Sequence, residues 1–224
     1  MKIKAIISGS TGMVGKGVLY ECLESNDVES VLVVNRQALG IEHNKIKEII
    51  LNDFHDLSSI RDQLQGYNAC FFCLGISSVG LSEEKYHKVT YDLTLHFANT
   101  LQELNPDLTF IYVSGEGTDS SEKGRMMWAR VKGKTENALL GMPFKAAFMF
   151  RPGYIQPMRG IKSRTRAYNA LYFIFKPLYP LLKWLFPKHV TTTDNVGKAM
   201  IAVTLNGYKK KWLGNGDINL VVSG

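Results

Sequence analysis

Apolar residues along this 224-residue chain follow two rhythms. Near-continuous apolar runs occupy residues 3–8 (IKAIIS), 31–35 (VLVVN), 46–51 (IKEIIL), 69–74 (ACFFCL), 108–113 (LTFIYV) and 145–150 (KAAFMF). Runs of that length and composition predict strands buried on both faces. Between them, residues 13–25, 83–104 and 125–140 place apolar side chains at helical spacing, with a shorter helical stretch near 57–65. Asn105 with Pro106, and Gly141 with Pro143, supply the stops. Strand alternating with helix predicts an α/β fold, a Rossmann-type doubly wound parallel sheet with helices on both sides. A chain of this length suits one core, so residues 1–224 are expected to form a single domain.

Beyond residue 151 the pattern loosens. Residues 164–187 are rich in Tyr, Phe, Leu and Trp but are broken by Lys176, Pro177, Pro180 and Lys183. That is too interrupted for a membrane span and fits an amphipathic helical hairpin. Thr191, Thr192 and Thr193 with Asp194 predict the cap of a last helix at 194–205, followed by a short strand-like KKWLG. Residues 154–193 thus read as a basic, aromatic-rich helical insertion, a small C-terminal substrate or lid region.

Charge sharpens this division. The net charge is +7, and residues 137–193 hold nine Lys or Arg (Lys145, Arg151, Arg159, Lys162, Arg164, Arg166, Lys176, Lys183, Lys188) and no Asp or Glu. The excess therefore sits in one segment, which points to an anionic partner. Arg159, Lys162, Arg164 and Arg166 could meet a carboxylate or phosphate on a small ligand. Alternatively, residues 159–188 could contact an anionic membrane surface, with Trp184 and its Phe neighbours at the interface, or form a packed subdomain or dimer surface. No nucleic-acid partner is expected, and the chain is expected to be a monomer or homodimer. The N-terminal KIKAIISG reads as a strand entering a glycine turn rather than a secretion signal, so a cytoplasmic protein is expected. Cys22, Cys70 and Cys73 are an odd number, and the CxxC lies within an apolar run, so packing is expected rather than redox chemistry. The five histidines show no ligand spacing, and no metal site is expected.

The strongest local signal is GSTGMVG, residues Gly9, Ser10, Thr11, Gly12, Met13, Val14 and Gly15, set between a predicted strand and a predicted helix. Gly9 would make the tight turn, Gly12 would let backbone approach a pyrophosphate, and Gly15 would let helix and strand pack closely. The helix N-terminus then offers free amides and a positive dipole end to the phosphates. The next strand ends in Asn35 and Arg36, where an acidic residue would select the ribose hydroxyl of NAD. Arginine there would grip a 2′-phosphate, which favours NADP.

With LND after the third strand, FFCLG after the fourth, YVSGEG after the fifth, WARVKGKTE on the next helix and RPGYIQP after the sixth, residues 3–155 resemble an atypical or extended short-chain dehydrogenase/reductase. The likeness is to the NAD-dependent epimerase/dehydratase group, nearest the Tat-interacting protein branch. The resemblance implies that Asp53 meets the adenine, that Leu74 and Gly75 lie against the adenosine ribose, and that Pro152 and Gly153 border the nicotinamide. It also implies a Ser, Tyr and Lys that carry the reaction, with Tyr and Lys four apart on one helix face. The lysine then holds the ribose and lowers the phenol's pKa. Ser114 and Lys132 stand at two of these positions, but the Tyr position is Trp128, whose indole cannot exchange a proton as a phenol does.

Three readings accommodate Trp128. The protein binds NADP without turnover, Trp128 packing while Lys132 holds the ribose; or Tyr154, Tyr86 or Tyr91 enters the pocket instead; or the helix register differs. Tyr112 shares a strand face with Ser114 and is expected to pack. Glu116 and Asp119 could act as acid or base, as acids there do in some dehydratase-type relatives, although a polar turn that caps its own amides is the simpler expectation. The function expected is therefore that of an oxidoreductase or epimerase on a small anionic carbonyl or sugar-like substrate, or else of a silent NADP sensor or interaction module.

Overall fold

The computed structural model describes residues 2–162 and 179–223. Seven strands form one parallel sheet: β1 (Ile3–Ser8), β2 (Val28–Asn35), β3 (Ile46–Ile50), β4 (Ala69–Phe72), β5 (Thr109–Val113), β6 (Ala146–Arg151) and β9 (Trp212–Gly214), in the order β3-β2-β1-β4-β5-β6-β9. This is the expected Rossmann-type α/β architecture. The pleat sends alternate residues to opposite faces. Ile3, Ala5 and Ile7 of β1 join Val31, Val33 and Phe71 against Val18 and Leu19 of α1 (Met13–Glu24) and Val196 and Met200 of α6 (Thr193–Asn206). Ile6, by contrast, joins Leu32, Cys70 and Phe72 against Phe97 and Leu101 of α3 (Leu93–Leu104). Both faces of the sheet are buried under helices, which is why each strand reads as an unbroken apolar run. Cys70 and Cys73 are free thiols in this core, and burial pushes Cys73 up to about 12 and Cys70 well above the ordinary thiol value, so the CxxC packs as expected.

Between β4 and β5 the helix α2 (Glu83–His87) runs through a π-helical turn, Lys88–Asp92, into α3. The 57–65 stretch is a 3-10 helix, Ser58–Leu64, and α4 (Met127–Gly141) precedes β6. The last long helix, α6, is capped as its threonines predict: the Thr192 side chain accepts from the Asn195 amide at 3.0 Å. The tail strand is β9, pairing parallel with β6.

Three short elements were not legible. β7 (Tyr154–Gln156) and β8 (Val190–Thr192) pair with each other, so the segment expected to be helical from 154 to 193 begins and ends as strand. A final helix, α7 (Asn215–Ser223), follows β9. Within the expected hairpin over 164–187 the structure describes the helix α5 (Tyr179–Leu185); Arg164, Arg166 and Lys176 lie outside the described residues. No helix among the described residues is long and apolar enough to cross a membrane.

Candidate functional site

The strand order reverses between β1 and β4, and at such a switch point the loops leaving the carboxyl ends part to leave a crevice. Three adjoining cavities lie along it. The smallest, about 70 Å³, is lined by Gly9, Thr11, Gly12, Arg36, Leu74 and Gly75. The next, about 190 Å³, is lined by Arg36, Asp53, Phe54, Leu74, Gly75 and Val89 of the π turn. The largest, about 710 Å³, lies beyond β5 and β6 and includes Ser114, Glu116, Trp128, Lys132, Pro152 and Gly153.

The first cavity is built of backbone. Gly9 has φ +71°, and a Cβ there would lie 2.7 Å from the Cys73 carbonyl and the Leu74 amide. A Cβ on Gly15 would overlap the Gly9 carbonyl oxygen. Both glycines are thus required by close approach. The first intrahelical amide of α1 is that of Lys16, donating to the Gly12 oxygen at 2.9 Å, and Gly12 provides no side-chain cap. The amides of Met13, Val14 and Gly15 therefore precede the helical ladder at the positive end of the dipole. The Ser10 side chain is buried: its hydroxyl donates to Asn35 Oδ1 at 2.8 Å, and Asn35 Nδ2 donates to Glu48 at 3.1 Å. Asn35 is buried by these bonds, while Arg36, exposed, lines both smaller cavities and has no acidic partner among the described residues. Asp53 Oδ1 accepts from the His55 amide at 2.8 Å at the mouth of the second cavity.

The large cleft is made of side chains. Trp128, Lys132 and Glu136 follow one another at intervals of four along one face of α4. Lys132 Nζ donates to the Ser114 carbonyl at 2.5 Å, and burial pulls its pKa down to about 8 against the upward pull of Glu136. Glu136 is wholly buried, and its carboxylate accepts from the Ser114 hydroxyl, from Arg151 Nε at 3.0 and 3.1 Å, from the Arg151 terminal nitrogen and from Trp212 Nε1 at 3.2 Å. Ser114, although it lines the cleft, thus has its hydroxyl directed to Glu136 and the Phe150 carbonyl. Nothing in local spacing announces this network; the only sequence clue is a Glu four residues after Lys132.

Trp128 lines the cleft, packed beside Gly117. Of the substitute tyrosines, Tyr86 and Tyr154 line it too, but Tyr91 packs tilted against His87 at 4.6 Å between ring centres, with Lys134 4.7 Å above its ring, and does not line the cleft. Burial raises the Tyr86 and Tyr154 phenols, the opposite of what proton transfer near neutrality needs. Tyr112 is buried and packs, as expected. Asp119 is the polar turn foreseen: it accepts from Ser121 and, through Oδ2, from the Gly124 amide at 2.6 Å. Glu116 departs from that expectation, since its carboxylate caps no amide among the described residues and instead faces His189 Nδ1 at 3.3 Å.

Arg159 requires a correction. Under one of the readings offered for the basic segment it would meet a ligand anion; instead it is bound by Glu21 at 2.5 Å, Glu24 at 2.5 Å and Asp194 at 3.2 Å, on α1 and α6. Three carboxylates hold the guanidinium against α1 and α6, and Arg159 is not among the residues that line the cleft. Lys162 is exposed.

No family model matches the chain. It is 28% identical over 153 residues to Protein FMP52, mitochondrial, of Debaryomyces hansenii, covering 67% of this chain and 66% of that one. A second FMP52, from Meyerozyma guilliermondii, is 24% identical over 92% of this chain and 88% of its own. Protein HTATIP2 of Rattus norvegicus is 28% identical over 66% of this chain and 61% of its own. The chain therefore spans about two thirds of the D. hansenii and rat relatives. Among solved structures, a short chain dehydrogenase family protein from Francisella tularensis aligns at TM-score 0.68 and 12% identity, covering 98% of this chain and all of that one. WbmF of Bordetella bronchiseptica, in complex with NAD+ and UDP, aligns at 0.66 and 16%, covering 96% and 72%. A Burkholderia cenocepacia short chain dehydrogenase in complex with NADP aligns at 0.64 and 11%, covering 100% and 93%. The likeness to the Tat-interacting protein branch is thus met in the sequence relatives, and the fold is that of short-chain dehydrogenases.

Proposed function

We propose that this protein binds NADP(H) in the crevice and is a nicotinamide-dependent oxidoreductase acting on a small carbonyl compound. The observation that carries the reading is the placement of Arg36: unpaired with any described acid, it stands between the glycine turn and the cavity that holds Asp53, where a 2′-phosphate would fall. The bare amides of residues 13–15 suit a pyrophosphate. Leu74 and Gly75, shared by both smaller cavities, suit an adenosine ribose, and Pro152 and Gly153 suit a nicotinamide edge. Lys132, its Nζ on the cleft floor, would hold the nicotinamide ribose, with Ser114 supporting it through its carbonyl. The bound dinucleotide supplies a hydride; the chain's residues orient it and govern the proton.

Calorimetry tests this directly. NADPH should bind more tightly than NADH, and Arg36→Ala should cost about tenfold in NADPH affinity, the scale of one charge-assisted phosphate contact, while NADH is unmoved. Equal affinities for the two, unchanged by the substitution, would remove the NADP assignment.

Trp128 favours a second reading, a sensor that binds NADP without turnover. Trp128→Tyr separates the two: reductase activity that appears only in the variant supports the sensor and removes any substitute proton donor. Two further parts of the proposal are spatial. A cytoplasmic location is part of the proposal, and fractionation that finds the protein with mitochondria, as the names of the yeast relatives have it, would overturn that. Exposed Leu181, Trp184, Leu185 and Phe186 beside Lys188 support peripheral contact with anionic lipid. Sedimentation with phosphatidylserine vesicles checks it, and a Trp184→Ser variant should stay in the supernatant.

A further inference from the structure

A carboxylate of the cleft lining is paired with a histidine just outside that lining, a contact that no local spacing announces. Glu116 follows β5 and lines the cleft; His189 precedes β8, 73 residues further on. Their contact runs from Glu116 Oε1 to His189 Nδ1 at 3.3 Å. Each partner is fixed through its backbone. The Glu116 amide donates to the Pro152 carbonyl at 3.0 Å, and Asn215, buried at the start of α7, donates through Nδ2 to the His189 carbonyl at 2.6 Å and to the Tyr154 carbonyl at 3.1 Å. Asn215 Oδ1 also accepts from the Gly153 amide at 3.2 Å. A single buried amide thus ties β7, β8 and the loop after β6 into one frame. Gly153 completes the arrangement, because a Cβ there would overlap Glu116 Oε2; the carboxylate lies over the glycine on its way to the histidine.

We propose that Glu116 and His189 are the proton-transfer pair of this cleft, performing the role that Trp128 cannot. This rests on the reductase reading given above. Glu116 accepts the Nδ1 proton and so fixes the imidazole's orientation and tautomer, while Nε2 has no partner among the described residues. With a reduced nicotinamide dinucleotide as hydride donor, the carbonyl carbon gains the hydride and the C=O π pair moves to oxygen. That oxygen takes the Nε2 proton. The imidazole is left neutral with Nδ1–H still on Glu116, and solvent restores the proton, since both side chains are more than half exposed. The alcohol-oxidising direction runs through the same steps reversed. The other titratable groups of the cleft are Lys132 from α4, Tyr86 from α2 and Tyr154 from β7, with Lys188 next in sequence and lying along Gly216.

The test uses the full chain and two readouts. In long-range 1H–15N NMR of the histidine rings, with His189 assigned by its loss in His189→Asn, Glu116→Gln should move the neutral His189 ring away from the Nδ1–H tautomer. Gly153→Ala should do the same by displacing Glu116. An unchanged tautomer balance in both would overturn the pair. In NADPH oxidation against a panel of aldehydes and ketones, His189→Asn should lower kcat about a hundredfold, as loss of a general acid does, with the NADPH dissociation constant unchanged. Wild-type turnover in His189→Asn overturns the proposal. A wild type that binds NADPH and reduces nothing overturns it while leaving the cofactor reading intact, whereas failure to bind either dinucleotide removes the cofactor reading and the reduction role with it.

Discussion

At the β1 end of the crevice the site is made of backbone, and at the β5–β6 end it is made of side chains gathered from five elements. The glycine turn is mostly local: Gly9 takes a positive φ with Cys73 and Leu74 closing over it from the end of β4, Gly15 packs on the Gly9 carbonyl, and the helix amides follow from where α1 starts. The large cleft has no such local logic. Glu136 of α4 collects Ser114 after β5, Arg151 at the end of β6 and Trp212 of β9, and Asn215 of α7 collects Gly153, Tyr154 and His189. A region built from backbone sterics tolerates change in side chains but not in glycines, whereas one built from a buried polar network fails when any member is lost.

The sharpest way to break this contrast is Glu136→Ala. Removing the carboxylate strands Arg151 and the Trp212 indole, and loss of one partner of a buried ion pair costs about 3 kcal/mol, the lower end because Arg151 keeps some solvent contact. Urea unfolding should show it, together with weakened order at the cleft. A change below about 1 kcal/mol would mean that the network is not what holds β6 and β9 to α4. Next comes Gly15→Ala, which should destabilise by about 1–3 kcal/mol through overpacking against Gly9 and abolish NADPH binding. Its control is Gly75→Ala, where nothing lies within 4 Å of the added Cβ and stability should hold.

The same contrast explains what could be read from the chain. Six strands and the helices between them were legible because burial on both faces writes itself as continuous apolar runs, and the glycine turn because its three glycines sit between a strand and a helix in one short stretch. β7, β8 and the pair of carbonyls that Asn215 holds were not, since three-residue strands give no period and the bonds that fix them span 26 and 61 residues. Arg159 was misplaced for a related reason. Its segment lacks acids, so the count suggested an external anion, yet its carboxylates come from α1, more than 130 residues earlier in the chain, and from Asp194 just past the segment's end.

Lys132 belongs to the side-chain region, and its effect should be visible as pH dependence. Burial holds it at about 8, below the 10.5 of a free lysine. Between these values the unfolded chain binds the proton and the folded chain does not, so stability should rise with pH across that window, by at most about 1.4 kcal/mol per pH unit. Below pH 8 both states are protonated and the slope vanishes. Unfolding of wild type and Lys132→Met at pH 7.5, 8.5 and 9.5 checks this; a gap between them that stays constant would contradict it.

The smallest effect should come from Arg159→Ala, which asks to which region the start of the basic segment belongs. Arg159 has three carboxylates around it, but its side chain is 30% exposed and pairs of that kind contribute about 1 kcal/mol or less. Glu21 is nearly buried, and burial already raises its pKa, so without Arg159 it can take up a proton rather than stay as a stranded charge. Lys198, 4.0 Å away, softens the loss further. The expected outcome is a shift of about 1 kcal/mol that shrinks in high salt, with NADPH affinity and carbonyl KM both unmoved. A threefold or larger change in KM would place Arg159 at the ligand after all, and would make the segment a part of the cleft from its first residue rather than a strap fastened to the outer face of α1.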